Sequence, residues 1–373
     1  MVMVTKRDLL NSFQRCCSHP FGTRFFKADL HFHTPGSGDA RRSNKYDYKW
    51  YKLDYPANPD PELERNEIVR IQKTILDDAG KTAAAIVQRF IDEKLSLVAI
   101  TDHNGLGTIW ADPESSEKAM DLAAPTWFEL IAHEAEQVKL KTGKEVVILP
   151  GVEISTTGVH ILAVFPAQDP PRKVHFMICD LLFDLGFEIN AFGDLYQTGE
   201  KSAVDTINMI AQKGGVAIPA HIDASSQAML NLFELTSLNM GKIIKNDRLS
   251  AVEIVNPRTF SDHGPSQSKT IKEKMDAMRV RTGLARLAFL QGSDAHDLQA
   301  IGKRFSYLKM TSPSFDAMET ALSIPSSRVR ISQTHSLTKN GLFVHSIEIS
   351  NSFFKREQIR FNRHLNCIVG KKD

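Results

Sequence analysis

His31 and His33 close an apolar run that starts at Phe25, and Pro35, Gly36, Gly38 and Asp39 follow directly. On a strand, positions i and i+2 share a face, so both imidazoles project to one side where proline and glycine break the strand. Paired imidazoles with a carboxylate close behind suit a divalent cation. A chance pair of histidines on a half-buried strand would look the same in isolation. The pattern gains weight because it recurs. Leu97 to Ile100 runs into Thr101-Asp102-His103, Val146 to Val152 into Glu153, Val216 to Ala220 into His221, and Leu287 to Leu290 into Ser293-Asp294-Ala295-His296. His160 differs, since it opens the run Val159 to Phe165 instead of ending it. A core histidine bonded to a backbone carbonyl would read identically.

The runs that deliver these groups are continuous in apolar character, as parallel strands buried on both faces are. Helical stretches separate them, at 62–78, 81–94, 126–142, 173–185 and 201–213. Strand alternating with helix about seven times over predicts a parallel α/β architecture. In closed barrels of this kind the chemistry sits at the carboxyl ends of the strands. Residues far apart in the chain, such as His31 and Asp294, would then share one cleft.

Bulk properties narrow the classes. The chain has 373 residues, 42% of them hydrophobic, enough for a large core. A formal charge of +2 excludes a polycation that coats nucleic acid with its whole surface, so any such affinity must be local. Cys16, Cys17, Cys179 and Cys367 form no CxxC pair, which points to a reducing compartment and away from cysteine-based zinc sites. No apolar run is long enough to cross a bilayer, and Lys6, Arg7 and Asp8 stand where a signal peptide would be apolar. A cytoplasmic protein without membrane contact is expected.

Taken together and in order, Asp29 to His33, Thr101 to His103, Gly151 to Glu153, Ala220-His221 and Ser293 to His296 resemble the motifs of the PHP (polymerase and histidinol phosphatase) family over residues 25–310. Separately, the periodicity of Leu9, Leu10 and Phe13 predicts a leading helix at 1–24. The resemblance implies a distorted (β/α)7 barrel at 25–323 that hydrolyses phosphoesters with two or three divalent ions (Zn, Mn or Fe). It implies that His31, His33, Glu153 and Asp294 hold a first ion. Glu153 would bridge to a second held by His160 and His221, and Asp39, His103 and His296 would hold a third. Glu153 would set the spacing of the ions, and Asp294 or His296 would move protons. Coordination makes a water acidic enough to attack near neutral pH. Asp102 is expected to orient a histidine. Arg258, after a strand end, is the candidate anchor for substrate phosphate, with a surface salt bridge as the alternative. Glu253 reads as structural, and His19, His133, His175, His263, His335, His345 and His364 read as ordinary surface or core residues.

Two insertions, 41–80 and 105–145, should shape the rim. The first contains Arg41, Arg42, Lys45, Tyr46, Tyr48, Lys49, Trp50, Tyr51, Lys52 and Tyr55. Such a mixture of cations and rings can track a phosphate backbone and stack bases, or pack down as a surface cover. Past a linker at Ile324-Pro325-Ser326-Ser327, short strands at Leu342 to Ile349 and Leu365 to Val369 flank the basic stretch Lys355 to Arg360. Phe361 to Gly370 resembles the opening of an ABC/SMC-like ATPase head, and the chain as a whole resembles the front of a TrlF-like PHP–ATPase protein. The second glycine and Lys-Ser/Thr of a phosphate-binding loop do not follow, so no ATP binding is expected here. The leading expectation is a nuclease-type phosphoesterase acting on DNA or RNA or on nucleotides. The alternatives are a small-molecule phosphatase of the histidinol-phosphate type and a regulatory or scaffolding domain for an ATPase head.

Overall fold

The computed structural model describes residues 22–43, 46, 61–109, 125–189, 192–224, 229–232, 238–258, 269–331, 346–349 and 357–360. The expected leading helix, most of the aromatic-basic insertion and the ATPase-like stretch 361–373 lie outside these residues.

In chain order the elements are β1 (Arg24–Phe32), α1 (Gly38–Ser43), α2 (Pro61–Asp92), β2 (Leu97–Ile100), α3 (Trp127–Thr142), β3 (Val147–Thr156), β4 (Val159–Val164), α4 (Arg172–Asp184), α5 (Ala203–Gln212) and β5 (Val216–Pro219). There follow α6 (Met229–Leu232), α7 (Leu238–Ile244), β6 (Ala251–Glu253), α8 (Ile271–Val280), β7 (Ala288–Leu290), β8 (Ser306–Met310), α9 (Phe315–Ser323), α10 (Pro325–Arg328), β9 (Val329–Ile331), β10 (Ser346–Ile349) and β11 (Glu357–Arg360). Local chemistry sets several boundaries. Thr126 accepts from the Glu129 N–H while the Glu129 carboxylate accepts from the Thr126 N–H, and Gly143 ends the same helix at φ 71°. The expected break near residue 80 is absent, and α2 runs through Gly80, which has open space around it. One exposed mid-helix glycine costs about 1 kcal/mol, too little to split so long a helix.

Seven strands form one sheet in the order β5-β4-β3-β2-β1-β8-β9, with β6 and β7 as a separate parallel pair. Only β1–β2 and β2–β3 are parallel in the large sheet; β3–β4, β4–β5, β1–β8 and β8–β9 are antiparallel. The all-parallel sheet expected from strand–helix alternation therefore gives way to a mixed α/β fold. The cause is local at β3–β4, where only Thr157 and Gly158 join the strands and Gly158 takes φ 85°. A connection that short can only reverse the chain. Ala28, Leu149, Ile218, Ala251, Ala288 and Leu308 nevertheless meet in one apolar cluster, which requires the strands to curl around a shared interior. A second, larger cluster fills the layer between the strands and the helices outside them.

The segment 324–327, expected as a linker, enters α10, and β9 then rejoins the sheet beside β8. In the tail, β10 pairs with β11, so the expected basic turn itself supplies a strand. Among the described residues no helix is long and apolar enough to cross a membrane.

His175 on α4 is buried, with Nε2 3.8 Å from Cys179 Sγ, while His133 is exposed. Burial, then the Arg172 charge, holds the His175 pKa down to about 4. In the unfolded chain the imidazole titrates near its ordinary value of about 6.5. The unfolded state therefore takes up the proton first, and stability is lost as pH falls from 6.5 towards 4. His175→Gln should remove on the order of 2–3 kcal/mol of that loss, measured as the difference between wild-type and variant urea midpoints across the window.

Candidate metal centre

The site begins with a change of phase in β1. Phe26, Ala28 and Leu30 face the interior cluster, whereas Phe32 belongs to the outer layer. The pairing with β2 is irregular between Asp29 and Phe32, as a bulge requires. That shift lets His31 and His33 both face inward, with ring centroids 5.0 Å apart. Asp29 fixes the bulge: its Oδ1 accepts from the Ser293 N–H at 2.9 Å and the His31 N–H at 3.3 Å. The approach is close enough that a Cβ on Gly292 would lie 2.5 Å from Glu253 Oε1 and 2.6 Å from His31 Cβ, so glycine is required there.

Glu153 on β3 is the centre. Its Oε2 lies 3.2 Å from His31 Nε2, 3.2 Å from His33 Nε2 and 3.1 Å from His103 Nδ1. Its Oε1 lies 2.9 Å from His160 Nδ1 and 3.1 Å from His221 Nε2. His160 reaches the cluster because β3 and β4 form a hairpin with Ser155 opposite His160, which puts the start of one strand beside the end of the other. Asp294 Oδ1 is 3.5 Å from both His31 Nε2 and His33 Nε2. Asp39 Oδ2 faces His296 Nε2 closely and His103 Nε2 at 3.7 Å. His221 and Asp294 sit at φ 32° and 51°, left-handed values that non-glycine residues adopt where the surroundings impose them.

The residues present fit divalent ions on hydrogen-bond grounds. His31 Nδ1 faces the Glu253 carboxylate at 2.8 Å and must donate to it. Ser37 Oγ donates to Asp39 Oδ1 at 3.0 Å, so it accepts from His33 Nδ1 at 3.1 Å. Neutral His31 and His33 then aim bare Nε2 lone pairs at each other across 3.0 Å, against two acceptor-only carboxylates. Only protons or a cation can reconcile four electron-rich atoms so placed. Their separations of 3.0–3.5 Å match the edge of about 3.4 Å in a tetrahedron with bonds of about 2.1 Å. The buried His103 Nδ1 and His296 Nε2, which face the carboxylates of Glu153 and Asp39, make no hydrogen bond of good geometry, as ligand lone pairs would not. Three groups bring ligand atoms together: His31, His33 and Glu153; His33, Asp39, His103 and His296; and His103, Glu153 and His160.

Electrostatics follow the same pattern. Burial by itself would depress His31 and His33, but the surrounding carboxylates outweigh it, raising His31 well above its ordinary value and His33 to about 10. Burial would likewise raise Glu153, Asp294 and Asp39, yet the facing imidazoles hold all three well below the carboxylate range. Such a set holds protons where cations would otherwise sit.

Two sequence readings change. Asp102 touches no imidazole through its hydrogen bonds; its oxygens accept from the Thr34 N–H and the Thr34 hydroxyl, each at 2.6 Å, and pin the turn that follows His33. Glu253, read as structural, is the carboxylate that orients His31, and it also accepts from the His221 N–H at 3.0 Å and the Gly292 N–H at 3.0 Å. In the sequence it is a lone carboxylate inside the apolar run Ala251 to Val255, and only the structure ends β6 at it. Arg258 is exposed, five positions further on, and among the described contacts it has none to the cluster. The cation that does reach it is Arg304, whose Nη2 donates to the Ser293 carbonyl at 2.9 Å and lies 3.9 Å from Asp294 Oδ2. Buried Tyr46 donates its hydroxyl to the His33 carbonyl, which ties the first insertion to the site.

No family model matches this chain. No curated protein matches it either. Among solved structures, it is similar to a two-domain protein from Bacteroides vulgatus described as containing a predicted PHP-like metal-dependent phosphoesterase, with 13% identity, 83% of this chain and 65% of that one covered, and a TM-score of 0.45. It is also similar to the lesion-specific endonuclease Endonuclease Q from Pyrococcus furiosus, with 15% identity, 83% and 58% covered, and a TM-score of 0.42. The chain thus spans about three fifths of the length of these two proteins. A complex of Endonuclease Q with a 27-mer duplex carrying an abasic lesion is similar at 14% identity over 82% of this chain and 58% of that one, with a TM-score of 0.43.

Proposed function

We propose that this chain is a metal-dependent phosphoesterase acting on nucleic-acid or nucleotide phosphoesters. The observation that carries the reading is one buried carboxylate, Glu153, lying within 3.2 Å of five imidazoles from β1, the ends of β2 and β5, and β4. His31, His33, Glu153 and Asp294 would hold a first divalent ion. Glu153, His160 and His221 would hold a second, and Asp39, His103 and His296 a third. His103 stands within reach of both of the latter sets. Zinc, manganese and iron all suit mixed imidazole and carboxylate donors. When bound, such ions polarise a phosphoryl oxygen and lower the pKa of a coordinated water to near neutrality.

The chain's own residues then have distinct tasks. Glu253 keeps His31 in the tautomer that presents Nε2 to the cluster. Asp294 and His296, at 32% and 14% side-chain exposure, are the candidates for proton transfer, and Asp294, held ionised, suits accepting a proton rather than starting with one. Arg304 lies at the same edge, where its charge would draw a phosphate. Polymeric or nucleoside-bearing substrates are favoured because the segment rich in cations and rings follows α1, which carries Asp39, in the sequence, and its Tyr46 donates to the His33 carbonyl.

The test is a parallel assay with Mn of an aryl phosphate monoester, an aryl diester, single-stranded DNA and RNA. Cleavage of a polymer or diester is the expected result. Hydrolysis of the monoester alone would replace the nuclease reading with a phosphatase, and no hydrolysis of any substrate would overturn the enzyme reading.

A further inference from the structure

At the opposite end of β1 from its histidines lies a second concentration of charge that the metal cleft does not use. The registers Phe25↔Lys309, Lys27↔Tyr307 and Tyr307↔Arg330 bring two rings and three cations onto one face of β1, β8 and β9. Their neighbours Phe26, Leu308 and Val329 point the other way, into the interior cluster. All five side chains on the outer face remain partly exposed. Lys309 Nζ lies 6.0 Å and Arg330 Cζ 5.6 Å from the Phe25 ring centre, and Phe305 meets Tyr307 edge-on at 5.2 Å.

Lys27 is answered by Glu93, 3.6 Å away. Lys309 is not. Burial, then the charges of Arg328 and Arg330, lower its pKa, and among the described residues no carboxylate acts against them. Arg328 is held in place by donating to the Lys309 carbonyl at 3.0 Å, so the crowding is built into the strand pair. Like charges fixed together in this way are destabilising until an anion joins them. Beside them an open groove of about 400 Å³ is lined by Arg24, Phe25, Lys94, Ser96 and Tyr307 among others.

We propose that this face of β1, β8 and β9 binds single-stranded nucleic acid, with phosphates on Lys309 and Arg330 and bases against Phe25 and Tyr307. Cations alone would fit any anion. Rings alternating with cations across adjacent strands fit a polymer in which flat groups alternate with phosphates. The surface is independent of the metal cluster and would hold a strand whether or not the cleft cleaves it.

The experiment is fluorescence anisotropy of the full chain with labelled 20-nucleotide DNA and RNA between 50 and 200 mM NaCl. EDTA is present throughout, so hydrolysis has no part in the readout. Replacing Lys309 and Arg330 together by Gln should weaken binding about tenfold and lower the log–log salt slope by about 1.4, with each single variant giving about half that slope change. Phe25→Leu should weaken binding with the slope unchanged. Melting temperature should not fall below wild type in any of them, and aryl phosphate hydrolysis should match it. Binding by the double variant equal to wild type would overturn the proposal, as would absence of binding by wild type. Competition by polyglutamate as effective as that by an oligonucleotide of equal charge would show an acidic protein surface to be an equal ligand, and would also overturn it.

Discussion

Glu153→Gln is expected to abolish turnover and strip the cluster of metal in the same step. The substitution keeps the shape of the side chain and removes the one charge that faces five imidazoles. In the proposed arrangement Glu153 would serve two ions at once, so its loss would weaken both. Each ion supplies several kcal/mol to the transition state, and the fall in kcat should be about 10³-fold or more. A second readout comes from the metal-free protein. There the carboxylate neutralises His31 and His33, which hold protons above their ordinary range. Removing one partner from a buried ion pair costs about 3–5 kcal/mol, so the variant without metal should melt below the wild type without metal. Metal content, kcat on an aryl phosphate and the two melting curves check this together.

Glu253→Gln is expected to lower metal affinity by about 10–100-fold, the usual size of the effect when the partner of a ligating histidine is lost. The mechanism is a shortage of acceptors. Glu253 offers two oxygens to three donors, His31 Nδ1–H and the N–H groups of His221 and Gly292. Glutamine has one oxygen, so its NH2 must face either the Gly292 N–H, which displaces the side chain that anchors His31, or the His31 and His221 donors, which frees His31 to turn or change tautomer. If Glu253 acts through His31, saturating metal should restore most of kcat in the variant, with the concentration needed for half-activity shifted upward. A kcat that stays low at saturating metal while affinity is unchanged would refute that role.

The sequence carried the position of most of the site because a buried strand announces its own end. Continuous apolar runs such as Leu97 to Ile100 leave little room for a polar side chain, so Thr101-Asp102-His103 and Glu153 stand out as the polar groups that follow such runs. What alternation could not show was direction. His160 looked misplaced because it opens β4, yet the two-residue turn at Thr157-Gly158 makes that opening lie beside the end of β3. The same turn signals an antiparallel pair, which a count of strands and helices passes over in favour of a uniform barrel. Phase was also hidden. The spacing of His31 and His33 correctly puts them on one face, but that it is the inner face depends on the irregularity held by Asp29 and Ser293, residues far apart in the chain. Partners across the fold were least legible of all. Asp102 was paired with a histidine by proximity in sequence and instead holds Thr34, while Glu253 lies 222 residues from the imidazole it orients.

The central claim is that the polar atoms around Glu153 are arranged for cations, and metal analysis by plasma mass spectrometry of protein purified without added metal tests it most directly. Wild type should carry two to three equivalents of zinc, manganese or iron per chain, and His31→Ala/His33→Ala should lose at least one of them. Wild type that stays below one equivalent even after incubation with Zn or Mn, or a variant with the same content as wild type, would contradict the account.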